Sequence, residues 1–354
     1  MEDRSIIRFE QGIKSRQTRN NYRDHLKKFK IFANFESYDS LLTRPVEEIQ
    51  TMVEDYLIYL KETRHPNSVP ILMLGLRHFF VMNRIPLYWE ILRKMYPPKL
   101  KSAGFKPWTT EQIKKMLEST TSKRNRAFIH FLASTGARIG VIDENFTMKY
   151  LEEMSDGCKA VLMYPNENEE YWSFLTPEAS DALEEYHQER RKKGEVFDEN
   201  TPIFRHDYSR GKKIIPMKRS GTISVMYRII NSAGLERTRV NHHFDIQMDH
   251  GFRKRFNTIL KLKNEVNSNV AEKLLGHKNG LDGVYLKPTR EQCFEEFKKA
   301  IPELMIDESK RQAKIIEKLE AEKSELEQYR TKVDELWMDK LRMEHVQKLI
   351  PKME

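Results

Sequence analysis

Apolar positions in the first hundred residues recur at helical spacing, with basic residues threaded between them. From Gln17 to Ala33, Tyr22, Leu26, Phe29, Ile31 and Phe32 fall near a 3.6-residue period. Similar stretches run from Val46 to Leu60 and from Val69 to Val81, and Pro86 to Leu92 reads as a shorter fourth helix. Arg16, Arg19, Arg23, Lys27, Lys28 and Arg77 punctuate these segments, either as wet helix faces or as a polyanion-facing surface. The stretch 97–107, PPKLKSAGFKP, has no apolar period, three prolines, one glycine and three lysines. It reads as a linker between two domains.

A capping box at Thr109 and Gln112 opens the next helix, and an apolar helix follows from Asn125 to Ser134. Between Gly157 and Leu175 the period changes. CKAVLMY and EYWSFL are short, rich in β-branched and aromatic residues, and separated by a polar PNENE, which predicts a β-hairpin. Thr176-Pro177 then starts a helix that ends at the basic RRKKG of 190–194. Thr222 to Ser232 predicts one more. Asn269 to Leu275 predicts a short helix with Asn269 and Glu272 in capping-box positions and Gly276 as its stop. Thr289 and Gln292 cap an amphipathic helix bearing Phe294 and Phe297, with Pro302 interrupting beyond it. From about Ile306 to Leu349 the chain is helical. Leu319, Leu326 and Val333 are seven apart, but Lys323 and Arg330 occupy the positions read as their companions, so a marginal coiled coil or a solvated helix pair is expected.

Composition narrows the class. At 354 residues the chain can hold two ordinary domains. No apolar run spans a bilayer, and the opening MEDRSIIRFE has no apolar core of a secretory signal, so a cytoplasmic, membrane-free protein is expected. Cys158 and Cys293 make neither a disulfide framework nor a metal knuckle. The net charge is +9, and it is uneven: from Glu303 onward there are 11 basic and 13 acidic residues, leaving 51 and 40 in the preceding 302. A basic body of this kind favours a polyanion, because neutralised phosphates release counterions.

Four segments could carry chemistry: Ser134-Thr135-Gly136-Ala137-Arg138-Ile139-Gly140; His250-Gly251-Phe252-Arg253, whose ends share a helix face; Leu274-Leu275-Gly276-His277; and Tyr285, in a loop with Gly280 and Gly283 before Pro288. Taken singly, each has an ordinary structural reading. Together they are chemically coherent. Two guanidinium groups and two imidazoles suit a pentacoordinate phosphate, since arginine forks fit non-bridging oxygens bidentately. The same cations lower the pKa of a phenol, ordinarily about 10, and so activate it.

TGAR at 135–138, HGFR at 250–253, LLGH at 274–277 and the trailing Tyr285 occur in the order used by the tyrosine recombinase (phage integrase) family, and the chain resembles that family over most of its length. The context GHKNGLDGVYLKPT looks closest to its archaeal integrases. The resemblance implies a mainly helical fold with a small β-hairpin or sheet: a core-binding domain over 1–96, a linker over 97–107, a mixed α+β catalytic domain over 108–301 and a helical extension over 302–354. It implies a two-domain, C-shaped clamp on double-stranded DNA. It further implies that Tyr285 attacks the scissile phosphate to give a 3′-phosphotyrosine and a free 5′-hydroxyl, with Arg138, His250, Arg253 and His277 holding the phosphate. No metal, cofactor or ATP would be needed. Copies would assemble as tetramers on paired sites, with Thr289 to Ala300 a candidate exchanged helix.

Three departures from the family pattern stand out. The hairpin turn PNENEE lacks the usual lysine acid, leaving Lys159 and the RGKK of 210–213 as candidates. Val141 stands where an acidic residue is common, with Asp143 or Glu144 as substitutes. The histidine-to-tyrosine spacing is one shorter than the commonest. Other readings stay open. HHFDIQMDH at 242–250 suggests a metal-dependent nuclease, though adjacent His242 and His243 lack the spacing of a helical zinc pair. A catalytically impaired DNA-binding protein of the same fold, or a type IB topoisomerase, would share most of these features.

Overall fold

The computed structural model describes residues 3–101, 104–207, 214–240, 243–277 and 285–349; of His243 and residues 345–349 it describes the backbone alone. The chain divides into two compact units at residues 102 and 103.

The first unit is helical: α1 (Arg4–Gln11), α2 (Arg16–Ala33), α3 (Tyr38–Leu41), α4 (Val46–Thr63), α5 (Val69–Met82) and α6 (Trp89–Lys94). Its core gathers Phe9, Leu26, Phe29, Val53, Tyr56, Leu76, Phe79 and Phe80. Phe29 sits among the rings of Phe35, Tyr56 and Phe80. Helices α2 and α5 approach closely at Gly75, where a β-carbon would come within 2.8 Å of His25. Ile31, grouped by the sequence with the apolar face of α2, is 71% exposed. Two residues beyond Phe29 is about 200° round a helix, so the two side chains point to opposite sides. The segment expected to start at Pro86 becomes helical only at Trp89. Helices α1 and α3 had no period long enough to reveal them. They lock together reciprocally: Asp39 accepts the N–H groups of Arg4 and Ser5, and Asp3 accepts that of Tyr38.

The second unit opens with α7 (Thr110–Glu118), capped by the Thr109–Gln112 box, and α8 (Lys123–Thr135). A three-stranded antiparallel sheet follows in the order β1 (Leu151–Glu153), β2 (Lys159–Met163), β3 (Tyr171–Leu175), with Val161 opposite Ser173. The hairpin is the expected one; β1, only three residues long, was not foreseen. Helices α9 (Pro177–Lys192) and α10 (Arg219–Ser232) and a two-stranded ribbon, β4 (Arg239–Val240) and β5 (His243–Phe244), lead to α11 (His250–Leu262) and α12 (Ser268–Leu274). Asn267, not Asn269, caps α12, accepting the N–H groups of Asn269 and Val270. Two cores result. Phe128, Phe131, Phe146 and Phe204 centre one, packed edge to face. Phe174, Phe256, Leu260, Leu274, Phe294 and Phe297 centre the other.

Helix α13 (Arg290–Lys298) supplies Phe294 and Phe297 to that second core, both against Phe174 of its own chain. The aromatic face expected to dock on a neighbour is thus filled in cis. Pro302 takes the second position of the short α14 (Ile301–Leu304). The final helix, α15 (Glu308–Leu349), is one continuous rod of 42 residues. Its root is held by Glu178 of α9, whose carboxylate accepts the N–H groups of Ile306 at 2.8 Å and Asp307 at 3.0 Å. Among the described residues no helix is long and apolar enough to cross a membrane.

Candidate active site

Three chain reversals in the second unit bring together side chains that are far apart in sequence. The first is the end of α8. Gly136 adopts a left-handed φ of +57° and its missing side chain admits the Phe256 ring of α11; a β-carbon there would sit 2.7 Å from Phe256. Thr135 then accepts the N–H of Ala137, and the chain emerges with Arg138 half-buried.

The second is the start of α11. Trp108 lies against Gly251 and donates its indole N–H to the Met248 carbonyl at 2.8 Å, fixing the approach to the helix. His250, about half exposed, faces Asp249 at 3.3 Å. Burial resists ionisation of Asp249, yet the hydrogen bond and charge of His250 hold its carboxyl below the usual range. One turn on, Arg253 is buried, at 8% exposure. Its Nη1 donates to the Gly136 carbonyl at 3.1 Å, and its Nη2 donates to the Leu275 carbonyl and meets Nε2 of His277 at 2.8 Å. The neighbouring Arg255 points elsewhere, donating to the carbonyls of Glu303 and Leu304, so the run HGFRKR divides its arginines between site and scaffold.

The third is the end of α12. Gly276 takes a φ of +65°, and a β-carbon would meet the Tyr171 ring at 2.4 Å. His277 follows, its N–H bonded to the Glu272 carbonyl at 2.9 Å and its Nδ1 to the Glu272 carboxylate. Lys261 pairs with the other oxygen of that carboxylate.

Arg138, Tyr164, Glu167, Glu169 and Gly276 line an open cleft of about 440 Å³. Desolvation lowers the pKa of Arg253 from its ordinary value, and repulsion from Arg138 adds to it, so the two guanidinium groups sense one another. Burial pushes the Tyr164 phenol up to about 12 against the pull of both arginines. Tyr171 is raised by burial in the same way, beside Arg253. Two guanidinium groups held close together against packed rings are suited to a phosphate oxygen.

Of the residues singled out from sequence, Arg253 and His277 meet directly, Arg138 lies within electrostatic reach of Arg253, and His250 begins the helix that carries Arg253. Tyr285 is 78% exposed and makes no hydrogen bond or ring contact with that cluster. Lys159 is not brought to it: the residue lies at the end of β2 remote from the hairpin turn, roughly 16 Å of strand from Tyr164, and is paired with Glu153. The RGKK of 210–213 lies outside the described residues, as do His242, Gly280 and Gly283. Asp143 accepts the N–H of Asn145, and Glu144 pairs with Lys218. Asp245, from the suspected metal cluster, instead accepts the N–H groups of Thr238 and Ile246 and pairs with Lys106. Among the described residues no group of His, Cys, Asp and Glu is placed to hold a metal. Sequence reasoning missed Glu272, Tyr164 and Tyr171. Glu272, five residues before His277 on a short helix, carries in sequence only the signal of a cap.

Residues 107–281 match the phage integrase family, a span that takes in Arg138, His250, Arg253 and His277 and ends before Tyr285. No curated protein sequence matches the chain. Among solved structures, lambda integrase residues 75–356, a dimer bound to a COC′ core site, is 16% identical with a TM-score of 0.53, covering 82% of this chain and 96% of that one. XerH site-specific recombinase bound to difH substrate is 19% identical with a TM-score of 0.52, covering 74% of each. The Tn1549 transposon integrase in complex with circular intermediate DNA is 14% identical with a TM-score of 0.52, covering 82% and 98%. At these identities the likeness is one of fold: mostly helical with a small antiparallel sheet.

Proposed function

We propose that this chain, with a phage integrase domain over residues 107–281, is a tyrosine site-specific recombinase that cuts and rejoins duplex DNA through Tyr285. The observation that carries the reading is that three separate reversals of the chain bring Arg253 against His277 and Arg138 within electrostatic reach of Arg253. The Tyr285 hydroxyl gives up its proton to solvent as its oxygen attacks the phosphorus, the bond to the 5′-oxygen breaks, and that oxygen takes a proton from solvent and leaves as a hydroxyl. Arg138 and Arg253 neutralise the equatorial oxygens, His250 contributes a hydrogen bond, and His277, steered by Glu272, holds the Arg253 guanidinium in place. The phosphotyrosine conserves the energy of the broken bond, so rejoining needs only the return of a 5′-hydroxyl. No step calls on a metal or ATP. Assembly as a tetramer on paired sites, and kinship with archaeal members, belong to the same proposal.

The test is a duplex nicked next to the cleavage position of a binding sequence selected from random DNA. The chain should form a covalent protein–DNA adduct in the presence of EDTA, and Tyr285→Phe should abolish the adduct while leaving binding intact. An adduct that persists in Tyr285→Phe refutes the assignment of the nucleophile. The absence of lysine from the turn between β2 and β3 favours a second reading, a DNA-binding protein without strand transfer. Its signature is sequence-selective binding by the unaltered chain with no adduct on any substrate.

A further inference from the structure

Helix α15 carries an apolar seam that the sevenfold spacing of Leu319, Leu326 and Val333 only half reveals. The sevenfold series continues at Lys340, and the partners of these four positions in a heptad stand three residues on, at Glu322, Tyr329, Leu336 and Met343. Leu319, Leu326, Tyr329, Val333, Leu336 and Met343 are each 51–68% exposed. Glu322 and Lys340 are the two charged positions in this run of eight. Both make contacts along the helix itself: Glu322 pairs with Lys318, and Lys340 lies over the Trp337 ring.

The eight positions are symmetric about residue 331. In an antiparallel pair each first heptad position faces a fourth position of its neighbour. With 331 opposite 331, Leu319 meets Met343, Leu326 meets Leu336 and Tyr329 meets Val333. Glu322 then meets Lys340, twice. A parallel pair in register would instead stack Glu322 on Glu322 and Lys340 on Lys340, burying like charges. The helix carries no net charge to draw a polyanion: from Glu308 to Leu349 it holds ten acidic and ten basic residues.

We infer that the face of α15 from Leu319 to Met343 is a docking surface for a second copy of this chain, joined antiparallel about a two-fold axis. The contact is isologous, so it closes at two copies and does not propagate. The apolar layers drive association, and the Glu322–Lys340 layers select orientation and register. This holds whether or not the integrase domain is catalytically active.

Two experiments on the full chain test it. Leu326→Cys and Leu336→Cys variants, mixed and mildly oxidised, should give a disulfide-linked dimer that neither variant gives alone; the native Cys158 and Cys293 are buried. In sedimentation, Glu322→Lys and Lys340→Glu should each weaken dimerisation about ten- to a hundredfold, and the double variant should recover it, with circular dichroism unchanged throughout. Cross-linking of Leu326→Cys with itself establishes the parallel arrangement and overturns the inference. So does a failure of the mixture to cross-link, or charge variants that dimerise as the unaltered chain does.

Discussion

Nη2 of Arg253 lies 2.8 Å from Nε2 of His277. A guanidinium can only donate, so Nε2 accepts and the imidazole proton resides on Nδ1, against the Glu272 carboxylate. Glu272 thereby sets the tautomer and the plane of a ring 24 residues from Arg253.

That relationship makes Glu272 a positioning residue. Glu272→Gln should slow covalent adduct formation on a nicked duplex by about a hundredfold while DNA affinity stays within experimental error. Equal adduct rates in the two proteins would show that the carboxylate serves the fold of α12 alone.

Arg253 combines two roles, and two substitutions separate them. Arg253→Lys keeps a charge but loses the fork that spans the Gly136 and Leu275 carbonyls. Adduct formation should fall on the order of a hundred- to a thousandfold. Arg253→Ala also strands those carbonyls, and should lower unfolding free energy by about 1–3 kcal/mol, read from urea denaturation. A fully active lysine variant would mean that charge alone suffices.

Gly276 should tolerate no side chain. Its φ of +65° costs a residue with a β-carbon about 1–2 kcal/mol, and Tyr171 occupies the space that atom needs. Gly276→Ala should lower the denaturation midpoint, with partial recovery in a Tyr171→Ala background. A midpoint identical to that of the unaltered chain is the outcome that rules this out.

Acid should destabilise the second unit through two buried histidines. Burial holds His130 near a pKa of about 4 and His187 near about 3. Both are neutral when folded and take up a proton on unfolding below about pH 6.5. The unfolded state thus binds more protons between roughly pH 4 and 6.5, and stability falls as pH falls through that window, by up to about 1.4 kcal/mol per pH unit for each histidine. Denaturant midpoints measured at pH 7 and pH 5 check this. His187→Gln should show the shallower dependence; an unchanged slope rejects the assignment.

Much of this was legible because local chemistry and tertiary structure agree. The Thr109–Gln112 and Thr289–Gln292 boxes, the Thr176-Pro177 start and the hairpin strands all lie where their residue types place them. Arg138, Arg253 and His277 were legible because each stands within two residues after a glycine at a helix end, positions where short-range signals are strong. What stayed hidden depends on partners distant in sequence. Helix α1 is held by Asp39, β1 is paired with β2, and Ile31 shares its neighbours' hydrophobicity but not their direction. Glu272 gave no sign of its second partner because a capping carboxylate and an imidazole-orienting one look alike until the fold brings His277 round.

Glu178 fixes where α15 leaves its domain, and this turns the helix into a spacer of set length. Two copies overlapping antiparallel about residue 331 have their Glu308 ends 46 residues apart along the common axis, or about 70 Å. That distance matches roughly 20 base pairs of duplex at 3.4 Å each. A pair of chains linked this way would reach DNA already gauged to a span, before either has contacted a base.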